Sequence, residues 1–528
     1  MKKIISYIII SIFSLAIVSC AGDLNQSPVK KTTSASVYTT AANYKSVLAK
    51  LYASYVIAGQ EKGGGNADIA SNGGYDLMRG YFNMQEAPTD EIASTWLEGD
   101  NIGDLTYISW DDNDPWITDV YYRLYYTIAL CNEFVRNSTD NRISGFTEGE
   151  QTEIKNERNE ARFLRALAYY YVLDLYGQGP FVDENDPVGA YTPPAYTGKE
   201  LFSYIESELT EIEDKLPIPS ECEYGRASSA AADALLAKLY LNAEVYTSED
   251  HYSDCITYCK KVMAYGFSLY SDYSELFNAD NQKRTDEIIF SFEVDADHTV
   301  SWGATTYIVC GEVGSTSSQD PANYGISSGW GMFRLRGEFT SKFSDVTGNT
   351  DKRAMFYRDG QTQYLNGSVD DQSEGYFCEK WSNITDSGEA ASNTSSNGVD
   401  TDLPVFRLSD VYLMFAEAVL RGGKGATRAD ALGYLNKIRE RAYGNDSGDI
   451  SDADMTLGYI IDERARELYL ESTRRTDLIR FGLFTGGDYL WQWKGGVKDG
   501  KKVDSKYNVY PIPSTELSSN PNLHNENY

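Results

Sequence analysis

Glu160-Ala161-Arg162-Phe163-Leu164-Arg165-Ala166-Leu167-Ala168-Tyr169-Tyr170-Tyr171-Val172-Leu173-Asp174-Leu175-Tyr176-Gly177 is the stretch that decides the fold. Leu164, Leu167, Tyr171 and Leu175 recur at spacings of three, four and four, so they line one face of a helix. Glu160, Arg162 and Arg165 stand among them as charges able to reach water or a neighbouring helix. Gly177 stops the helix and Pro180 prevents its resumption. The segment is an amphipathic helix that needs a partner.

Partners are legible on both sides. Helical periodicity begins near Tyr44, with Val47, Leu48, Leu51, Tyr55 and Val56, and resumes from about Trp116 to Val135 before the long helix ending at Tyr176. Further helices are expected at about 198–215, 228–245, 252–265, 407–421, 428–442 and 456–472. Ala230, Ala234 and Ala237 form a small-residue face that permits close helix approach. No strict repeat is legible, so the fold class reads as mainly α, a tetratricopeptide-like array of antiparallel helical hairpins. Residues from about 280 to 400 depart from that pattern. Apolar bursts at Ile288–Phe290 and Thr306–Val309 stand between Gly, Ser, Asn and Asp clusters, predicting short strands and long loops laid over the helical frame. A second loop-rich stretch, with Gly63-Gly64-Gly65 and Gly73-Gly74, precedes Trp116. Loops on a rigid scaffold are where binding residues concentrate, so a site is expected in these two regions.

The N-terminus carries a separate message. Met1-Lys2-Lys3 is a short basic region, and Ile4–Val18 is an apolar run too short for an ordinary membrane helix. It ends in Leu15-Ala16-Ile17-Val18-Ser19-Cys20, similar to a bacterial lipoprotein signal whose cysteine is acylated. Residues 1–19 are therefore expected to be a leader, Cys20 the lipidated residue, and 20–40 a polar tether. One domain is expected over 41–528, with 280–400 as its elaboration. The formal charge is −31, two units more negative once Lys2 and Lys3 leave with the leader. Such a field repels nucleic acid and anionic lipid, and makes a polyanionic ligand a poor fit. The 41 tyrosines, against 20 phenylalanines, suit both helix packing and wet sugar-binding surfaces. Six cysteines besides Cys20 show no metal-ligand spacing and read as buried thiols, although Cys255 and Cys259 share a helix face.

Catalytic motifs are weak. The three histidines, His251, His298 and His524, have no metal-binding spacing. Gly325-Ile326-Ser327-Ser328-Gly329 fits a nucleophile-elbow string but lacks the parallel-strand context. No glycine loop of nucleotide-binding type is present. The expectation is a binding protein, not an enzyme.

The opening helix resembles the signature helix of the SusD/RagB family of surface glycan-capturing lipoproteins. Four further stretches resemble family hallmarks in the same order: Tyr224-Gly225-Arg226-Ala227 with Leu236–Ala243, Phe406–Ala418, Glu467–Phe481, and Tyr510-Pro511-Ile512-Pro513 with the Asn-rich tail to Tyr528. Within the family, Phe82-Asn83, Ala87-Pro88-Thr89-Asp90-Glu91, Thr306–Gly311 and Leu490–Gly496 are similar to the starch-binding member. The resemblance implies capture of starch-like glycan, an outer-membrane lipid anchor facing the cell exterior, and a SusC-like TonB-dependent transporter as partner. Another glycan, such as a fructan or xyloglucan, or peptides on the same scaffold stand as alternatives, with a glycoside hydrolase last.

The resemblance also implies a site. In the starch-binding member an arc of aromatic rings carries the ligand, with an arginine and an asparagine alongside. Trp96 and Trp330 fall on ring positions, Trp302 replaces a tyrosine ring, and Arg79 falls on the arginine. A second tryptophan falls on Ser94 and the asparagine near Gly99, leaving Asp100 or Asn101 to supply that group. Sugar recognition needs flat rings against C–H faces and polar groups at their edges, which suits this set. Trp110, Trp116, Trp491 and Trp493 read as packing residues. No cofactor is required, but a structural calcium is possible at Asp280, Asp400 and Asp402, the first in a segment similar to one that joins a calcium site in the starch-binding member.

Overall fold

The computed structural model describes residues 34–528 apart from 62, 64, 70–74, 190, 393–397 and 527. The expected leader, the lipidated Cys20, the tether up to residue 33 and the Gly73-Gly74 turn lie outside the described residues. The frame opens with α1 (Ala41–Val56), α2 (Leu77–Glu86), α3 (Pro115–Asn137) and α4 (Glu148–Tyr176). It continues through α5 (Gly198–Ile212), α6 (Ser229–Leu241), α7 (Tyr252–Ala264) and α8 (Ala304–Glu312). α9 (Leu408–Leu420), α10 (Arg428–Tyr443), α11 (Leu457–Leu468) and α12 (Arg474–Arg480) close it. The expected tether is shorter than 20–40, because Ser34–Val37 is already helical and the Tyr38 ring packs on Tyr44 and Phe134.

The opening stretch is the C-terminal part of α4. A capping box between Thr147 and Glu150 starts this helix, and Gly177, at φ 68°, ends it in the left-handed conformation. Phe163, Leu164, Leu167, Tyr171 and Leu175 are buried among α1, α3 and α5. The charges join helices, as the pattern anticipated. Arg162 and Arg165 both donate to Glu208 on α5, and Arg165 also reaches Glu184 and Asn132. Glu160 accepts from Arg226 and from the Tyr52 hydroxyl. Successive packing of α3 on α4, α4 on α5, α6 on α7, α7 on α9 and α9 on α10 makes the hairpin array.

Strands are short and paired antiparallel. β1 (Ile92–Ser94) pairs with β3 (Phe333–Leu335), and β2 (Ile288–Phe292) pairs with β4 (Leu403–Arg407). One expectation in the 280–400 interval is corrected. Thr306–Val309 belong to the helix α8, not to a strand, and every residue of α8 is buried. A short apolar run buried on all sides carries no period that separates strand from helix.

The Glu467–Phe481 hallmark is the electrostatic centre of the molecule. Glu467 contacts Arg353, Arg407 and Arg441, while Arg474 forks onto Asp90 at 2.7 and 2.9 Å. Asp477 bridges Arg464 and Arg480. The Pro-Ile-Pro tail closes on the same frame, with Tyr510 donating its N–H to Leu175 and its hydroxyl to Met84. The six cysteines from Cys131 on are free thiols, and the Cys255 and Cys259 sulfurs stand 3.9 Å apart. No helix among the described residues is long and apolar enough to cross a membrane.

Candidate functional site

Three elements bring the predicted tryptophans together. The β1–β3 ladder opposes Ser94 to Phe333, and Thr95 N–H donates to Met332 C=O at 2.8 Å. Trp96 and Trp330 therefore leave the same end of one short ladder. Trp330 is fixed by its N–H to Cys310 C=O at the end of α8. The loop before α8 supplies Trp302, whose ring centroid lies 6.0 Å from that of Trp330 with the planes tilted by 50°. Trp96 is 49% exposed, an unusual state for the largest apolar side chain. Trp302 and Trp330 are half-buried.

The Trp302 loop is pinned from beneath. Buried Asp76, the N-cap of α2, accepts from Ser301 Oγ and from the N–H groups of Arg79 and Ala304. Burial raises the Asp76 carboxyl pKa, and these donors oppose the rise. A Cβ at Gly303 would stand 2.0 Å from Asp76 Oδ2, so only glycine permits this approach. Ala304 follows at φ 43°, a left-handed conformation held by its N–H to Asp76. Trp302 Nε1 donates to Gly63 C=O at 2.8 Å, fixing the ring itself.

Arg79 takes a different place from the one expected. Its side chain is 3% exposed and faces inward. Nη1 donates to Trp302 C=O at 2.6 Å, and Nη2 donates to both Asp100 carboxylate oxygens at 2.7 and 2.9 Å. The guanidinium lies 3.6 Å from the Tyr75 ring centroid and 4.1 Å from that of Tyr307. Trp116 stacks on Tyr75 and donates Nε1 to Asp100 C=O at 2.8 Å. Asp100 N–H in turn donates to Trp96 C=O. One buried arginine thus ties the Trp302 loop to the Trp96 turn.

Asp100 is buried on Arg79, whereas Asn101 is exposed at φ 51° and lines a depression of about 790 Å³ beside Trp96. Ser94 is buried inside β1, so no ring could project from its position to extend the platform. Trp110, Trp116 and Trp491 are buried, and Trp493 is half-buried against Tyr107 at φ 69°. The supporting layer of Tyr75, Asp76, Trp116 and Tyr307 is what sequence reading missed, apart from Trp116, which it assigned to packing. The signals for it were its position in the two loop regions and, for Tyr307, the resemblance of Thr306–Gly311 to the starch-binding member.

The three aspartates proposed for calcium are spent on loop hydrogen bonds. Asp280 pairs with Lys283 and accepts from Asp386 N–H. Asp400 accepts from Ala296 and Ser392, and Asp402 from Val294 N–H and the Tyr224 hydroxyl. Burial pushes Asp402 up to about 7, toward the neutral acid. Among the described residues no group of three His, Cys, Asp or Glu side chains converges as a metal site. A narrower apolar cleft of about 270 Å³, with Leu48, Val56 and Phe292 on its walls, lies between α1 and the Tyr224–Arg226 turn. Of its polar side chains, Tyr52 and Arg226 are committed to Glu160 and Tyr224 to Asp402.

Comparison with known proteins agrees with this architecture. Residues 334–528 match the model of the SusD family, and residues 29–241 match one described as starch-binding associating with outer membrane. The starch-binding protein SusD of Bacteroides thetaiotaomicron is 35% identical across 100% of this chain and 99% of its own. The chain belongs to the SusD family. SusD-like protein P25 of Formosa agariphila, another relative, is 26% identical over 77% of this chain and 78% of its own. Among solved structures, surface glycan-binding protein A of Bacteroides thetaiotaomicron, in complex with laminarihexaose, superposes with a TM-score of 0.70. It shares 19% identity and covers 93% of this chain and 100% of that one, a likeness of fold. Bacteroides SusD and surface glycan-binding protein A are named as binding proteins, not as enzymes.

Proposed function

We propose that this SusD-family chain captures starch-like oligosaccharide at the outer membrane and passes it to a SusC-like TonB-dependent transporter. The observation that carries the reading is the Trp302 and Trp330 ring pair, 6.0 Å apart, at the end of the short ladder from which the half-exposed Trp96 also leaves. Rings braced in this way offer apolar faces to sugar C–H groups without an ordering cost at binding. Identity of 35% to a protein named for starch binding supports starch as the ligand class. Lipidation at Cys20 would hold the protein at the membrane surface. Binding is reversible capture, with no bond made or broken.

Native affinity gels containing amylopectin test the platform. Trp96→Ala combined with Trp330→Ala should abolish retardation with only a modest fall in melting temperature, since Trp96 is half in solvent and Trp330 packs at the edge of the core. Retardation equal to the parent would remove these residues from the site. Affinity should hold between 50 and about 500 mM NaCl, because an uncharged ligand leaves little for salt to screen. A second reading, a β-glucan on the same rings, draws on the laminarihexaose held by a protein of this fold and on the ring missing at Ser94. Calorimetry with laminarihexaose beside maltoheptaose separates the two.

A further inference from the structure

The depression beside Trp96 does not include Trp302 or Trp330 in its walls. Trp96 shares it with Tyr107, Asp104, Pro115, Asn101, Glu98 and Asp370 among others, and it measures about 790 Å³. That volume lies within the range of small-molecule sites. Its wall is built from distant parts of the chain, and one residue joins them. Arg334, on β3, is fully buried. Nη1 donates to Thr95 Oγ1 at 2.5 Å, next to Trp96, and Nη2 donates to Val369 C=O, next to Asp370. Nε donates to Glu374 C=O at 2.7 Å, closing the loop that carries Asp370.

None of these contacts is to a carboxylate. Burial, followed by Arg336, pushes the Arg334 guanidinium down to about 10. The charges of Asp371, Asp370 and Glu374 oppose that fall without outweighing it, and a buried cation whose hydrogen bonds all go to neutral acceptors is an expensive way to stabilise a core. It is an effective way to fix two loops relative to each other. Behind the wall, Trp493 packs on Tyr107 with centroids 6.2 Å apart, so the tyrosine ring is supported while remaining half-exposed. The exposed carboxylates of Asp104 and Asp370 accept from nearby serine hydroxyls, Ser109 and Ser368, a geometry in which hydroxyl donors are already accommodated.

We propose that this depression is a second sugar-binding subsite, with Tyr107 as its ring and Asp370 as its principal hydroxyl acceptor, holding residues of an uncharged chain beyond those on Trp302 and Trp330. The proposal rests on the reading of the tryptophan platform given above. Its carboxylate rim, Glu98, Asp104 and Asp370, accepts hydroxyl protons and disfavours uronic or sulfated sugars. Arg334 is a positioning residue that keeps the depression open.

Calorimetry with maltotriose and maltoheptaose on the full chain tests it. Tyr107→Ala and Asp370→Asn should each weaken maltoheptaose by about tenfold, the worth of one good stacking or charged hydrogen-bond contact, and leave maltotriose unchanged. Trp330→Ala should weaken both ligands. Arg334→Gln should reproduce the loss of length dependence. Should it fail to fold, the two surface variants carry the test alone. If Trp330→Ala weakens both sugars while Tyr107→Ala and Asp370→Asn leave maltoheptaose at parental affinity, the subsite is overturned and the platform stands. If Trp330→Ala changes neither, the platform reading fails and the subsite falls with it.

Discussion

Arg79 separates a ligand-contacting role from a structural one at the scale of a single side chain. Its guanidinium has Asp100 on one nitrogen and Trp302 C=O on the other, and both members of the ion pair are at most 4% exposed. Removing one partner of such a pair leaves an uncompensated charge, at a cost of about 3–5 kcal/mol. Arg79→Ala should therefore lower both glycan affinity and thermal stability. A variant that lost binding while melting like the parent would show that the arginine meets the ligand directly. Trp96, Trp302 and Trp330 were named as ring candidates by the family resemblance, and for Trp330 also by its flanking Ser327-Ser328-Gly329 and Gly331. The inward turn of Arg79 was not legible, since its sequence neighbours say nothing about Asp100 folding back beneath it.

At the scale of elements, helices were read well and the fourth helix best. Its apolar spacing, its glycine stop and the charges that bind α5 are all local properties, and local properties survive in a string. Gly177 sits at φ 68°, where a β-carbon costs about 1–2 kcal/mol. Gly177→Ala should lower unfolding free energy by that amount in urea titrations and leave maltoheptaose affinity unchanged, because the α4 cap lies outside the tryptophan platform. Unaltered stability would mean that the helix end rearranges. α8 was misread for the opposite reason. Thr305, Thr306, Ile308 and Val309 favour strands locally, but a site surrounded by core on every side admits either element, and the Asp76 anchor at Ala304 starts a helix.

The whole molecule is held by charges buried along the Glu467–Phe481 segment, and this has a consequence in acid. Burial pushes the Glu467 carboxyl up, but Arg441, Arg407 and Arg353 outweigh it and hold it down at about 2. A carboxylate depressed in the folded state adds stability that is complete above about pH 4.5 and lost as the pH falls toward 2. Glu91, Asp114 and Asp402, which burial pushes up to about 7, act in the opposite sense and lose their contribution as the pH rises through that value. Urea midpoints should peak near pH 5, declining toward pH 7 as the raised acids ionise and falling steeply below about 4.5. Glu467→Gln should lower the midpoint at pH 6 and flatten the acid fall. A parental midpoint constant from pH 5 to 2.5 would contradict the lattice as the source of stability.

The sequence by itself determined the helical frame, the order of its hairpins, the family and the loops in which a site would lie. Periodicity, capping and turn residues act within a few positions, so they are written in the chain. Only the tertiary structure decided which partners the candidate side chains take. It turned Arg79 inward, gave the calcium candidates to loop hydrogen bonds, and opened a depression between residues 96 and 370 braced by Arg334. Those outcomes depend on contacts between residues 21 to 239 positions apart, and on burial that makes a charge seek whichever partner the fold brings within reach.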